Sequence, residues 1–198
     1  MMNFNQAIEN RRSIYALDKT SPISEEEIRN IVEHAVKYVP SPFNSQSARA
    51  VILFGEQHDR LWNITREALR KLVPEDSFSK TNEKLDAFQN AFGTVMFFED
   101  QEVVESLQQQ FELYKDNFPI WSLQSSGMLQ FTVWVGLEEA GLGASLQHYN
   151  PLIDDQVKEE WGLPKKWKLL SQMPFGKPLA APGEKEFSPL ENRVKVFR

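Results

Sequence analysis

Ile28, Ile31, Val32, Ala35 and Val36 fall at i, i+3, i+4, i+7 and i+8, so five apolar side chains share one face of a helix. Ser24 with Glu27 three residues on makes a capping box at its start, and Pro40 and Pro42 stop it. The same spacing predicts a short helix over Phe4 to Arg11, then helices over Gln57 to Leu72, near Ser79 to Asn90 and over Glu102 to Asp116. In the last of these Val103, Leu107, Phe111 and Tyr114 are expected to face the core. The longest helix runs from Ile120 to Ala140, about 30 Å at 1.5 Å per residue, with Gly127 read as a close contact and Gly141 as its stop. Asp154 caps a further short helix to Trp161.

Strands are expected over Ala50 to Phe54, Gly93 to Phe98, Ala144 to Leu146 and Lys168 to Phe175, the last closed by Gly176-Lys177-Pro178. Residues 179–192 carry no periodicity, whereas Val194 to Phe197 alternates like a strand. A lone terminal strand wants a sheet edge, and that edge is expected on another subunit. Helices and strands interleave while strands stay few, which predicts an α+β fold: one central sheet, helices on its flanks, and residues 1–198 in a single domain. Trp121, Phe131 and Trp134 suit a protomer core and an isologous interface equally well.

Composition narrows the function classes. The 198 residues are 41% hydrophobic and 25% charged, a globular composition. Net charge is −6 and no basic cluster is present; the densest, Lys165 to Lys168, is short, so a nucleic-acid partner is not expected. Met128 to Leu137 is too short to span a bilayer and the first twelve residues hold no apolar signal core, so neither a membrane nor secretion is expected. The absence of cysteine removes thiolate chemistry and fits the cytoplasm. His34 and His58 lack paired ligands, so no metal site is expected.

Polar residues gather at element ends in four places: Arg11-Arg12-Ser13; Ser41, Pro42, Asn44 and Gln46; Gln147-His148-Tyr149; and Lys177 with the later Lys185. Gly141-Leu142-Gly143 is not a dinucleotide fingerprint, because a helix precedes it, Leu146 stands at the third glycine and Pro151 follows. Cations, amides and main-chain donors together are what a flavin mononucleotide (FMN) requires: charge for its phosphate and its reduced ring, amides for the pyrimidine edge, an N–H near N5. Singly, each segment has a structural alternative. Arg11 and Arg12 suit a helix C-terminus, Asn44 a turn, and His148 a hydrogen-bonded histidine.

In order along the chain, Arg11-Arg12-Ser13-Ile14-Tyr15-Ala16-Leu17, Phe43-Asn44-Ser45-Gln46-Ser47, Ala91-Phe92-Gly93-Thr94 running into Phe97-Phe98-Glu99-Asp100, Asn117 to Ser122, and Gly141 to Pro151 resemble the nitroreductase family over nearly the whole length. Within it, the sequence is similar to the short fatty-acid-repression and copper-induced branch. The resemblance implies a mostly antiparallel sheet and a homodimer with two FMN sites at the interface. It also implies NADH- or NADPH-driven reduction of nitroaromatics or quinones by a ping-pong route. On it, Arg11, Arg12 and Ser13 are phosphate, ribityl or pyrimidine ligands. Ser41, Pro42, Asn44 and Gln46 approach the ring from the partner chain, and Gln147, His148 and Tyr149 pass its N5 edge. Lys177 or Lys185 meets the phosphate, and His148 is a candidate proton donor. Tyr15, His148 and Phe187 stand where larger members carry lysine, glutamate and arginine, which removes two phosphate-side cations. The alternatives are a flavin-binding stress or lipid-signalling regulatory protein with little turnover, and an interaction protein without flavin.

Overall fold

The computed structural model describes residues 4–198; the first three residues, which belong to the stretch read for a signal core, lie outside them. Among the described residues the helices are α1 (Phe4–Asn10), α2 (Glu25–Tyr38), α3 (Gly55–Arg70), α4 (Phe78–Gln89), α5 (Gln101–Gln110), α6 (Phe118–Glu139) and α7 (Asp154–Glu160). The strands are β1 (Leu17–Asp18), β2 (Ala48–Phe54), β3 (Gly93–Asp100), β4 (Gly143–Ala144) and β5 (Trp167–Pro178). They form one sheet in the order β1-β5-β3-β2, with β4 also on β5, and every strand pairing is antiparallel. The architecture is the expected α+β one.

Alternation along β3 explains the two helical layers. Val95 and Phe97 face α2 and α6, packing with Ile28, Val32, Leu129, Val133 and Phe175. Met96 and Phe98 face the other way, against Leu61, Trp62, Leu85, Phe88 and Val157 of α3, α4 and α7. A strand covered on both faces reads as a continuous apolar run, as Gly93 to Phe98 does. Each such large side chain contributes about 2 kcal/mol by leaving water. The α2 capping box is present on both sides: Glu27 N donates to Ser24 Oγ at 3.2 Å and Ser24 N donates to Glu27 at 2.8 Å. No described helix is long and apolar enough to cross a membrane.

Several expectations need correction. The helix expected to run to Asp116 ends at Gln110, and a 3-10 turn follows at Glu112–Tyr114. Phe111 and Tyr114 therefore do not enter the core; both stay part-exposed and pack beside the ring of Phe43. Gly127 is exposed with open space where a Cβ would stand, while Gly136 is the glycine pressed against a neighbour, Ile31 of α2. The third strand is Gly143–Ala144 only. Val194 to Phe197 forms no strand in the chain; it follows a 3-10 turn at Leu190–Asn192, and its apolar side chains are exposed, up to 91% at Phe197. On α6, Leu129 and Val133 are buried whereas Ile120, Leu123, Met128 and Phe131 are exposed; Trp121 and Trp134 are half-buried.

Candidate functional site

Two of the four polar segments, Arg11–Ser13 and Lys177, lie at the Pro178 end of β5, and a third, Gln147–Tyr149, runs along the same strand beside Gln172. Beyond α1, Ser13 bridges Ala144 in parallel, and Ile14 N donates to Ala144 O at 2.9 Å. Four residues on, β1 pairs with the end of β5, Asp18 opposite Lys177, and Leu179 N donates to Ala16 O at 2.9 Å. The stretch 13–18 is thus held between Gly143–Ala144 on one side and 177–179 on the other. Gly176 makes this possible: a Cβ there would stand 2.5 Å from Asp18 O and 2.9 Å from Phe92 N. Both neighbours are main chain, so a side chain has no room.

Arg11 follows α1 with its guanidinium 4.5 Å from the centroid of the Trp134 ring on α6. Its Nε is buried and has no hydrogen-bond partner among the described residues. A buried cationic donor without an acceptor is costly, and the cation–π contact offsets only part of that cost. Glu138, one turn along α6, has its carboxyl pushed up by burial, with the Arg11 charge drawing it down. Arg12 is half-buried and Ser13 exposed.

Gln147 to Tyr149 lies against β5. Gln147 and Gln172 exchange main-chain hydrogen bonds of 2.7 and 2.9 Å. Gln147 donates its amide inward to Ser145 Oγ at 3.1 Å, so its side chain faces the interior. Tyr149 packs on Trp62 and Phe88, and burial pushes its hydroxyl up to about 12, which keeps it protonated. The His148 side chain is exposed.

The fourth segment is elsewhere. Ser41 to Gln46 leads into β2, the opposite sheet edge, at Ala48, which pairs with Glu99 and through it with Lys168 at the far end of β5. From Lys168 to Phe175 is about 20 Å along the strand. Within one chain this loop and the Arg11 cluster occupy opposite corners of the sheet. The loop is closed on itself: Gln46 N donates to Ser41 Oγ at 2.9 Å, Arg49 donates to Gln46 O at 2.6 Å, and Arg49 pairs with Asp100 at 2.9 Å. Pro42–Asn44 is a 3-10 turn, and Phe43, Asn44 and Gln46 all have positive φ, near 50°. Such backbone costs about 1 kcal/mol or more per residue and persists where packing holds it. Here the Phe43 ring lies 4.7 Å from that of Phe111 and 5.3 Å from that of Phe118. A cavity of about 650 Å³ opens beside the loop, between Val32 and Val36 of α2, Leu129 of α6, and Ser41, Gln46 and Ala50. Lys185 joins neither corner; it is exposed with its ammonium 5.2 Å from the Phe187 ring.

A family model described as the nitroreductase family matches residues 8–177. The chain belongs to the nitroreductase family. It is 38% identical over 189 residues to the Saccharomyces cerevisiae protein HBN1, covering 94% of this chain and 93% of that one. Among solved structures it is similar to nitroreductase CinD from Lactococcus lactis in complex with chloramphenicol, with TM-score 0.91, 47% identity, 99% of this chain and 100% of that one. CinD also has a structure in complex with 4-nitrophenol. A protein from Exiguobacterium sibiricum in complex with FMN shares the fold at TM-score 0.74 and 16% identity, over 100% of this chain and 98% of that one. Family membership makes the chain an oxidoreductase. Two polar residues inside apolar strand runs, Glu99 in Phe-Phe-Glu-Asp and Gln172 in Leu-Ser-Gln-Met, are buried near these segments; neither is among the candidate site residues above, and a polar residue within an apolar run is the signal that marks them.

Proposed function

We propose that this protein is an FMN-dependent NAD(P)H oxidoreductase that reduces nitroaromatic compounds and quinones in a ping-pong cycle. It works as a cytoplasmic homodimer of single-domain chains. The observation that carries the proposal is Arg11 Nε, a buried cationic donor lacking an acceptor among the described residues, on the stretch that Ser13 and Ile14 tie to Ala144, three residues before Gln147. An anionic, oxygen- and nitrogen-rich cofactor fits that donor set. The complexes of CinD with chloramphenicol and 4-nitrophenol support nitroaromatics as substrates.

FMN, when bound, supplies two-electron chemistry, taking a hydride from a nicotinamide and passing reducing equivalents to the second substrate. The chain positions and charges it. Arg11, Arg12 and Lys177 neutralise negative charge, and Ser13 donates or accepts at the ribityl or pyrimidine side. Gln147, with its side chain tied to Ser145, contributes its main chain, and Tyr149 anchors the segment from the core side. His148, whose imidazole is exposed, is the candidate that gives a proton to a reduced acceptor. Lys185 would reach the phosphate only by leaving Phe187, which makes Lys177 the stronger candidate.

The separation of Ser41, Pro42, Asn44 and Gln46 from the Arg11 cluster supports a site completed by the loop of a second copy. The exposed α6 residues Ile120, Leu123, Met128 and Phe131 suit the dimer contact, and β2, with one side unpaired, suits the alternating Val194 to Phe197 of that copy. Purified protein supplied with excess FMN and desalted tests the proposal. It is expected to stay yellow and to be bleached anaerobically by NADH or NADPH, then recoloured by a nitroaromatic. Retained flavin that neither nicotinamide bleaches would favour the regulatory alternative.

A further inference from the structure

Beyond Ala144 the chain leaves regular strand yet stays beside β5. Ser145 N donates to Pro174 O at 3.2 Å, and Gln147 exchanges both main-chain bonds with Gln172. The pairing of Gly143 with Gly176 and Gln147 with Gln172 sets a register that would next join Tyr149 to Leu170. That bond is interrupted. Opposite β3, β5 shifts register between Ser171, partner of Phe97, and Leu169, partner of Phe98, so Leu170 is the extra residue of a bulge. Tyr149 N donates instead to Gln172 Oε1, at 2.9 Å. A side chain stands in for the carbonyl that the bulge takes away.

Gln172 consequently holds both peptide planes that flank His148. Its main-chain N–H donates to the Gln147 carbonyl at 2.9 Å, and its side-chain oxygen accepts from the Tyr149 N–H. Because a trans peptide sets C=O and N–H in opposite directions, both bonds turn the His148 N–H and the His148 carbonyl away from β5. Gln172 is fully buried, and its Nε2 has no partner among the described residues. An apolar side chain of similar length would avoid that unsatisfied donor, so core packing alone does not account for a glutamine here.

We propose that Gln172 is a positioning residue that fixes the orientation of the His148 main chain for the flavin ring edge. The proposal rests on the FMN reading above. Its test starts in cofactor-free protein with amide hydrogen exchange. The wild-type Tyr149 amide should exchange about as slowly as that of Gln147. Gln172→Met should speed Tyr149 at least about tenfold, and Gln172→Glu, which keeps an acceptor in place, should restore slow exchange. In FMN-loaded protein, Gln172→Met should slow anaerobic flavin reduction at saturating NADH by about tenfold while flavin is still retained. Fast Tyr149 exchange in the wild type would overturn the proposal without any variant. So would a Gln172→Met protein with loosened Tyr149 but wild-type reduction, since the glutamine would then serve stability alone. Wild-type protein that takes up no FMN would instead remove the flavin reading, and this assignment with it.

Discussion

The Thr94 hydroxyl lies 2.9 Å from His58 Nδ1 and links the start of β3 to α3 in a hydrogen-bond chain of fixed direction. Gln89 O can only accept, so Nε2 of the neutral ring carries the proton and donates to it at 3.2 Å, Nδ1 accepts from the Thr94 hydroxyl, and Thr94 Oγ1 accepts from Trp62 Nε1 at 3.2 Å. Every member is satisfied only while the imidazole is neutral. A proton on Nδ1 would oppose the Thr94 proton.

Burial accordingly pushes His58 down from 6.5 to about 4. A depressed histidine binds its proton more readily unfolded than folded, so stability is full above pH 6.5 and falls as pH drops toward 4. The loss is about 3 kcal/mol over that window. Urea unfolding of cofactor-free protein between pH 7 and pH 4 should show it, and His58→Gln should flatten the decline.

Glu99 has the opposite sign. It is buried at the end of β3, where burial raises its pKa while the Ser47 hydroxyl and the Arg49 charge beside it draw it down. A raised carboxyl stabilises the fold at pH below its unfolded value, and that contribution disappears as pH rises through the folded value. Glu99→Gln should unfold at a higher temperature than the wild type at pH 8, with the gap closing toward pH 4.

Gly176 is the pivot on which 13–18 crosses β5. Gly176→Ala places a Cβ against two main-chain atoms, Asp18 O and Phe92 N, so the crossing must open. A loss of about 2 kcal/mol is expected from calorimetry, with weaker FMN retention because Ser13 and Lys177 move apart.

Arg11→Ala separates structure from cofactor binding. The lost contact to Trp134 is worth about 1 kcal/mol to the fold, whereas a charge-assisted bond to the cofactor corresponds to a roughly tenfold or greater loss of FMN affinity. Fluorimetric FMN titration beside thermal unfolding checks both.

Much of this was legible in the sequence because period and capping agree locally. Ser24 and Glu27 mark where α2 starts, and the unbroken apolar run to Phe98 marks a doubly covered strand. What was hidden depends on distant partners. β1 has two residues, too few to show alternation, and exists because β5 lies beside it. Phe111 and Tyr114 keep helical spacing but pack beside the ring of Phe43, whose positive φ no local signal for a phenylalanine announces. Val194 to Phe197 does alternate, yet a strand needs an edge, and its own sheet offers the chain end none that it takes. The candidate site residues were legible as clusters, but their division between two corners of the sheet depends on strand order, which composition and spacing do not encode.

That division is the central claim: one copy supplies Arg11, Ser13 and His148, and the other supplies Ser41 to Gln46. Subunit complementation tests it most directly. Two variants, Arg11→Glu and Asn44→Arg, are each expected to retain no FMN alone. Co-expressed with different affinity tags and purified as the mixed dimer, they place both defects in one site and leave the other intact. The account predicts one bound flavin per mixed dimer, bleached by NADH or NADPH. A mixed dimer as colourless as its parents would mean that both segments act within one chain, and would contradict it.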